Sequence, residues 1–584
     1  MKKYLIGALL LTLFSSCEDI FESKSSSLDL DGGEDITSTD QSIYSVMGIL
    51  SQMQQLGERY VLLGELRGDL MEATASADYD LQEISTLSIS EDNAYRLRRD
   101  YYNVINNCNV ALERMDTSIV YYQDKILLPE FAAVKAMRAW TWWQMALTFG
   151  EVQWSEQPVL SLDEALADMP VKSCEEVARF LVQDLAPFSD EELPDYGSVD
   201  GYTSSLLFVP IQALLGDLYL YLGDYEKAAL AYYDLIENRR LTVTDGYANN
   251  WQRVARPSVD NPFYHASSYV GEALSGFVYS SSPRDYHPSL VRLAYNANPS
   301  ILPASHFVES MDHTMHFYAE SGAVTISAYL EGDLRGRAVS STGQVISVAC
   351  GVPQWARTEE NLITKYNWAA ATNESGSDPE NEEVEGLMYT RLVPFYRTPQ
   401  VYLRFAEALN RLGKPSVAFA VIKYGLTADN LSDPSKVNQG ELKGESYLDF
   451  SWLQSGESAV NKGTACRGRG RGVSLDHTNF VIPDFTRFIE DVDPNTGDVV
   501  LLPSTDAGDL QAARADSILF VEDCIVDELA AETCFEGGRF FDLLCIARHR
   551  NEFPGYMAEK VSARFADPDA ARARLMDEWV WFLK

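Results

Sequence analysis

The segment from residue 210 to residue 240, PIQALLGDLYLYLGDYEKAALAYYDLIENRR, constrains the fold more than any other part of the sequence. Its apolar spacing predicts two antiparallel helices, with Gly223 at the end of the first and Asp224 as the cap of the second. Gly216 and Ala228 are small enough to let the two helices approach closely. Such a pattern is typical of a tetratricopeptide helix pair. One pair cannot bury its apolar face alone, so further helices must stack against it.

A second helix pair is predicted at residues 399–426. Ala406 and Ala418 repeat the twelve-residue spacing of the small residues in the first pair, and Gly413 lies at the turn. Between the pairs, residues 241–386 have weak periodicity, with short aromatic segments among Ser, Pro, Asn and Gly. The predicted fold class is therefore mainly α: tetratricopeptide-like helix pairs form an α-α superhelix, and a loop-rich second lobe contains short strands.

The first residues have the composition of a bacterial export signal. Lys2 and Lys3 precede an apolar stretch of 11 residues, which is too short to span a bilayer as a mature helix. The sequence LFSSC, ending at Cys17, looks like a lipobox, in which the Cys becomes the lipidated first residue. We predict a signal peptide at residues 1–16, with an ordinary secretory signal as the alternative. Residues 17–40 are rich in Ser, Asp and Gly and predict a flexible tether.

The charge of the chain excludes one class of partner. It has 86 acidic and 47 basic residues, a net charge of −39, which becomes −41 once cleavage before Cys17 removes two lysines. Binding to nucleic acid needs a basic footprint, so no nucleic-acid partner is predicted. A soluble body held on an acyl tether fits this composition.

The sequence carries no recognisable catalytic motif. It contains no G-x-S-x-G, Walker or H-E-x-x-H pattern. His313 and His316 are three residues apart but have no third ligand nearby in sequence, so we predict no metal site and no cofactor. Carboxylate pairs are abundant because Asp and Glu are abundant, and none stands out. We predict that the protein is not an enzyme, and an exported glycoside hydrolase is kept as the less favoured alternative.

Three tryptophans, Trp140, Trp142 and Trp143, lie in the apolar helix predicted at residues 128–150. Such a cluster can form a sugar platform. In the middle of an alanine-rich helix it is more often part of the core, and we predict core packing here. Long helices are also predicted at residues 40–73 and 91–115, with a polar loop between them.

Short motifs are spread over nearly the whole chain, and their order and spacing are specific. They are Cys17-Glu18-Asp19, Tyr102-x-x-Ile105-x-x-Cys108-Asn109, Lys135-Ala136-x-Arg138-Ala139, Gly216-Asp217-x-Tyr219, Pro303-Ala304-Ser305, Gly332-Asp333-Leu334-Arg335, Thr364-Lys365-Tyr366, Ala406-Glu407-Ala408-Leu409-Asn410 and Phe535-Glu536-Gly537-Gly538-Arg539. With these motifs the chain resembles the SusD/RagB family, the surface lipoproteins that cap TonB-dependent nutrient importers in Bacteroidetes.

The resemblance implies a binding protein of the outer membrane, lipid-anchored and exposed at the cell surface. Its ligands would be glycans, or oligopeptides as in some members, and its partner a SusC-like TonB-dependent transporter. It also implies the division of the mature chain: an N-terminal helical region at 41–240, an irregular ligand-binding lobe at 241–398, and a C-terminal region at 399–584 that completes the scaffold. Glu536 and Arg539 would pair on a buried helix face.

The family places its ligand contacts in the loop after the first long helix and in the irregular lobe. In this sequence the first loop contributes Asp78 and Tyr79. Aromatic rings form platforms for the apolar faces of pyranoses, and planar polar groups bind their hydroxyls. The candidates in the lobe are Trp251, Tyr279, Tyr286, His287 and Trp368.

Overall fold

The computed structural model describes most of the chain beyond the predicted tether. The described residues are 35–199, 201–243, 272–280, 282, 284–294, 298–320, 326–333, 335, 337–339, 345–347, 362–363, 365–366, 390, 392–453, 461–469, 480–492 and 499–584. The predicted signal peptide and Cys17 lie outside these ranges.

Helices make up most of the described structure. The α-helices are Thr39–Met53 (α1), Gly57–Leu66 (α2), Tyr79–Thr86 (α3), Arg99–Arg114 (α4), Leu128–Phe149 (α5), Leu162–Ala165 (α6), Cys174–Leu185 (α7), Ile211–Leu222 (α8), Tyr225–Asn238 (α9), Leu290–Ala294 (α10), Ser305–Asp312 (α11), Thr398–Arg411 (α12), Pro415–Lys423 (α13), Ala428–Ser432 (α14), Cys466–Arg469 (α15), Ala507–Thr533 (α16), Arg539–His549 (α17), Gly555–Ser562 (α18) and Pro568–Leu575 (α19).

The strands are short. They are Met71–Ala73 (β1), Val120–Tyr121 (β2), Asp124–Lys125 (β3), Glu151–Gln153 (β4), Val171–Ser173 (β5), Ser198–Val199 (β6), Tyr202–Thr203 (β7), Ala273–Val278 (β8), Ile301–Pro303 (β9), Met315–Glu320 (β10), Ile326–Glu331 (β11), Arg337–Val339 (β12), Val345–Ser347 (β13), Leu392–Arg397 (β14), Phe488–Val492 (β15) and Val499–Pro503 (β16). Within the described ranges they pair antiparallel and only in twos. Strand β1 pairs with β9 and β8 with β14, and the other pairs join strands that are consecutive in the sequence.

The first helix pair forms as the sequence predicts, from α8 and α9. Gly223 ends α8 in the left-handed conformation, with φ 75°. A Cβ on Gly216 would lie 2.4 Å from the ring of Tyr232, so the small residue is required for the close approach of the helices. The predicted capping role of Asp224 is wrong, because its carboxylate accepts a hydrogen bond from Lys227 Nζ at 2.6 Å and makes no cap bond.

The second helix pair consists of α12 and α13. Gly413 in its turn has φ 75°, as Gly223 has in the first pair. The two pairs pack directly on each other through α9 and α12. Arg404 of α12 donates to Asp217 of α8 at 2.8 Å, and both side chains are buried. The discontinuous helical scaffold predicted from the internal repeat is confirmed.

The region predicted as two long helices with a loop between them is more broken than expected. A 3-10 turn at Gln54–Leu56 separates α1 from α2, and the following strand Met71–Ala73 pairs with Ile301–Pro303. The predicted loop contains α3, and the next long helix begins only at Arg99. The cause is non-local: strand pairing across 230 residues removes the end of the predicted first helix.

The tryptophan cluster of α5 lies in the core. Trp140, Trp142 and Trp143 are each exposed by 2% or less, which confirms that they are not a sugar platform. A second apolar segment, Ser204–Leu222, is long and apolar enough to cross a membrane by length and composition alone. However, 78% of it is buried inside the fold, as in the core helix of a globular protein.

Candidate functional site

A buried set of charges fixes the strand-rich part of the chain to the helical scaffold. Glu532, near the end of α16, is 1% exposed and forms ion pairs with three guanidinium groups. Arg467 approaches it to 2.8 Å, Arg335 to 3.2 Å and Arg397 to 3.3 Å. Burial would raise the pKa of Glu532, but the charges of these arginines bring it well below its usual range. Glu532 therefore stays ionised in the interior.

The set extends to residues on both sides of Glu532. Arg335 also donates to Glu528 at 2.6 Å and to Asp333 at 2.9 Å. Lys365 pairs with Glu536 at 2.6 Å. We name the whole set the charge clamp; its members are Glu272, Asp333, Arg335, Lys365, Arg397, Arg467, Glu528, Glu532 and Glu536.

The predicted pairing of Glu536 with Arg539 is wrong. Glu536 instead accepts two hydrogen bonds from Arg397, both at 2.7 Å. Arg539 forms a two-pronged pair with Asp69, at 2.6 and 2.9 Å. The chain turns between the two motif residues, with φ 93° at Gly537, so Glu536 and Arg539 reach different partners. Several motifs that carry the family resemblance thus hold the fold together.

The first predicted ligand loop presents one aromatic side chain to solvent. Asp78 caps α3 by accepting a hydrogen bond from Leu81 N at 2.8 Å. Tyr79, the first residue of α3, is 71% exposed. Asn93 fixes the neighbouring loop to this helix, because its Nδ2 donates to Asp80 O at 3.0 Å and to Glu83 Oε2 at 2.9 Å.

Tyr95 is a candidate that the sequence analysis missed. Asn93 Oδ1 accepts from Tyr95 N at 3.0 Å, and Arg59 lies 5.7 Å from the centre of the Tyr95 ring. Burial raises the pKa of Tyr95, and the carboxylates of Glu58 and Asp78 raise it further. The half-buried ring of Tyr95 therefore lies close to the predicted residues of the first loop. The only sequence signal was Asn93, two residues earlier, as a capping residue.

The second predicted group forms a ring cluster in which only one member is well exposed. Tyr279 is 1% exposed, and its hydroxyl donates to Gln54 O at 3.0 Å. Its ring centre is 6.1 Å from that of Tyr286, which is 43% exposed. His287 is half-buried, with Nε2 3.0 Å from Ser282 O. Tyr279 and His287 therefore support the loop from beneath, and Tyr286 faces outward.

Glu58 contacts the second loop and acts electrostatically on Tyr95, beside the first. Its carboxylate accepts a hydrogen bond from Ser289 N, in the loop that carries Tyr286. Burial and the charge of Glu58 raise the pKa of Tyr286 to about 12. The charge of Glu58 also raises the pKa of Tyr95, so its carboxylate acts on both tyrosines. We name Tyr79, Tyr95 and Tyr286, with the carboxylates of Glu58 and Asp78, the tyrosine surface.

Pairing between distant segments positions this surface. Thr74 N donates to Ser300 O at 2.9 Å, and Thr74 Oγ1 donates to Pro299 O at 2.6 Å. The first loop is thereby pinned beside strand β9. Trp251 and Trp368, the remaining ligand candidates, lie outside the described residues.

The surface offers aromatic rings for stacking and carboxylate oxygens as hydrogen-bond acceptors. Among the residues that the structure describes, no group of three or more His, Cys, Asp or Glu side chains is placed to hold a metal ion. His313 is exposed at the end of α11. The tyrosine surface can therefore bind a ligand that has both apolar faces and hydrogen-bonding groups.

Comparison with known proteins identifies the fold. No protein-family model and no curated protein matches the sequence. A SusD superfamily protein from Bacteroides thetaiotaomicron is 16% identical, with TM-score 0.54, and the match covers 93% of this chain and 94% of that one. A SusD superfamily protein from Bacteroides fragilis has 13% identity and TM-score 0.52, with coverage of 88% and 91%. A laminarin-binding SusD-like protein has 14% identity and TM-score 0.52, with coverage of 93% and 98%.

The chain therefore has the fold of the SusD superfamily over nearly its full length. This confirms the predicted mainly α, tetratricopeptide-like architecture, and it confirms the predicted resemblance at the level of the fold.

Proposed function

We propose that this protein is a member of the SusD/RagB family that captures glycans at the cell surface and delivers them to a SusC-like TonB-dependent transporter. The observation that carries the proposal is the tyrosine surface, which two distant loops build on a SusD-type scaffold. Its role is binding without catalysis.

The tyrosine surface suits sugars in two ways. The exposed rings of Tyr79 and Tyr286 can stack on the apolar face of a pyranose. The carboxylates of Glu58 and Asp78 can accept hydrogen bonds from its hydroxyls. One solved structure with this fold is described as laminarin-binding, which supports a polysaccharide as the ligand class.

The acidic surroundings favour a neutral glycan over a polyanionic one. Glu58 and Asp78 lie close enough to Tyr95 to raise its pKa, so an approaching anion would meet the same field. The net charge of −39 adds a weaker, screened repulsion at longer range. A neutral polysaccharide is therefore the first ligand to test.

Export and anchoring are proposed from the sequence. The signal peptide at residues 1–16 would be removed and Cys17 would carry the lipid, placing the protein on the outer membrane. The helical scaffold would face the transporter. The region 241–398 would supply the rest of the ligand site, including Trp251 and Trp368.

The test is a panel of polysaccharides in native affinity gels, run with the soluble chain that begins after Cys17. We expect retardation by at least one neutral glycan and no release of reducing ends during incubation. If the protein binds an oligopeptide library and no glycan retards it, the ligand would be a peptide and not a glycan. Release of reducing ends would contradict the proposed absence of catalysis.

A further inference from the structure

The hairpin of β2 and β3 exposes a pair of tyrosines outside the proposed ligand site. Val120 is 56% exposed, Tyr121 64% and Tyr122 82%. The two rings touch edge to face, with their centres 4.5 Å apart. Contiguous exposed apolar patches on monomeric proteins are often functional.

The turn of this hairpin is built from residues that do not suit its backbone. Tyr122 has φ 49° and Gln123 has φ 82°, so both central residues are left-handed. Two-residue turns of this kind favour Asn-Gly, because those residues reach positive φ at low cost. The sequence has a tyrosine here instead. The strain points to a use for the side chain at the tip.

The hairpin lies next to the point where the described chain begins. Ile36 forms a bridge with Met115: Ile36 N donates to Arg114 O at 2.8 Å, and Asp116 N donates to Ile36 O at 3.2 Å. Tyr121 follows Asp116 by five residues, so along the chain it is at most about 17 Å away. The exposed tyrosines are thus close to the start of the folded body.

We propose that Tyr121 and Tyr122 form a membrane-interface contact that inserts into the headgroup region of the bilayer holding the protein's lipid. The inference rests on the proposed lipid anchor at Cys17. Ile36 lies nineteen positions after Cys17, a distance of at most about 65 Å even when the segment is fully extended. Tyrosine rings are apolar with one polar end, which is the chemistry that suits the interface between lipid and water.

Because the lipid anchor already holds the protein at the membrane, a weak contact by two rings is enough to orient it. Two rings would not bind a free protein to a membrane, but tethering converts the contact into an intramolecular one with a high effective concentration. The contact would fix which side of the body faces the bilayer. Because it depends on aromatic rings, it does not require anionic lipid, which the acidic chain would repel.

A second exposed hairpin provides an internal reference. Phe488, in β15, is 53% exposed, and Leu501, in β16, is 64% exposed. The two strands of this hairpin pair with each other, and no described hydrogen bond links them to Ile36 or Met115. No described contact links it to the start of the chain, so we expect Phe488 to remain in water.

Hydroxyl-radical footprinting tests the inference on the side chains themselves. The full lipoprotein in phosphatidylcholine vesicles is compared with the lipid-free chain that begins at Glu18. Since insertion removes most of the ring surface from water, we expect oxidation of Tyr121 and Tyr122 to slow by about threefold or more on vesicles. Oxidation of Phe488 should stay unchanged.

Flotation of the vesicles separates the possible failures. If the protein floats with the vesicles but Tyr121 and Tyr122 are oxidised at the soluble rate, the inference is overturned and the anchor stands. If the full lipoprotein does not float, the anchor is wrong and the inference fails with it. Equal slowing at Phe488 would mean non-specific coverage and would also overturn the inference.

Discussion

The charge clamp and the tyrosine surface are both built from side chains that meet across long sequence separations, yet they are opposite in kind. The clamp is dry: Arg335, Arg467 and Glu532 are each 1% exposed. The tyrosine surface leaves Tyr79 71% exposed and Tyr286 43% exposed. The clamp satisfies its own charges internally, whereas the surface has polar groups and rings still open to a ligand.

The difference shows what the family-like motifs are for. The motifs at 332–335, 364–366 and 535–539 contribute to the clamp or to the neighbouring Asp69 pair. None of the three tyrosines of the tyrosine surface belongs to a motif. These motif residues hold the scaffold, and residues outside the motifs form the proposed site. Changes in the clamp should therefore act on stability, and changes in the tyrosine surface on binding.

The largest effect is expected for Arg335→Met. The substitution leaves Asp333 and Glu528 buried without their guanidinium partner. Removing one member of a buried ion pair costs about 3–5 kcal/mol of unfolding free energy. Denaturant unfolding of the soluble chain measures it. The matched control is Arg572→Met, whose pair with Glu559 is more than half exposed on both sides and should change stability by at most about 0.5 kcal/mol.

A pH dependence comes next, from Glu65 in α2. Burial raises the pKa of Glu65 to about 8, and its Oε1 accepts a hydrogen bond from Gly537 N at 2.7 Å. The fold therefore favours the protonated form. The stability this gives is fully present below the unfolded pKa, near 4.5, and is lost as the pH rises through about 8.

The variant Glu65→Gln should remove this dependence. Between pH 5 and pH 8.5, the stability of the wild type should fall by about 2–4 kcal/mol relative to the variant. Thermal or denaturant unfolding across this range measures the difference. A wild type and variant that keep a constant difference over the range would show that Glu65 is already ionised in the fold.

Two glycine substitutions test the close approach of the helices. In Gly216→Ala the new Cβ would lie 2.4 Å from the Tyr232 ring, and we expect a loss of about 1–3 kcal/mol from overpacking. In Gly48→Ala, within α1, the Cβ would meet nothing within 4 Å. That control should gain about 0.5–1 kcal/mol, because alanine favours the helix. A stable Gly216→Ala protein would contradict the proposed packing of the first pair.

The smallest effects on free energy are expected at the tyrosine surface, and they should appear in binding alone. Tyr79→Ala or Tyr286→Ala removes one stacking ring, and each should weaken glycan binding by about 1–2 kcal/mol, or roughly 5- to 30-fold in Kd. Calorimetric titration with an oligosaccharide of the retained glycan measures this. Tyr44→Ala is the control: Tyr44 is 76% exposed on α1 and belongs to neither ligand loop, and its loss should leave Kd unchanged.

Local pattern was enough to predict the helical scaffold. Small residues and turn glycines, such as Gly216 and Gly413, act within one helix pair, so their roles are visible in sequence. The errors come from long-range contacts. Strand β1 pairs with β9 across 230 residues, and Arg539 pairs with Asp69 across 470. The partners in each pair lie in different segments of the sequence, so no local pattern could predict that they meet.

The sequence could name two loops for the candidate site, but it could not show which of their side chains are exposed. The resemblance implies ligand contacts in two loops, and in the structure Glu58 accepts a hydrogen bond from Ser289 N in the second of them. The resemblance could not show that Tyr279 is buried and Tyr286 exposed, because their exposure depends on the packing of Tyr279 against Gln54 and Gly57. Tyr95 was missed for the same reason: its position depends on Asn93 and Arg59, which only the folded chain brings together.

The most direct test of the division between clamp and surface is the affinity of the double variant Tyr79→Ala/Tyr286→Ala for an oligosaccharide that the wild type binds, measured together with its melting temperature. We expect the affinity to fall by at least about thirtyfold, because two stacking rings are lost. The melting temperature should stay within about 2 °C of the wild type, because both rings are substantially exposed. An unchanged affinity in a folded double variant would contradict the proposed site.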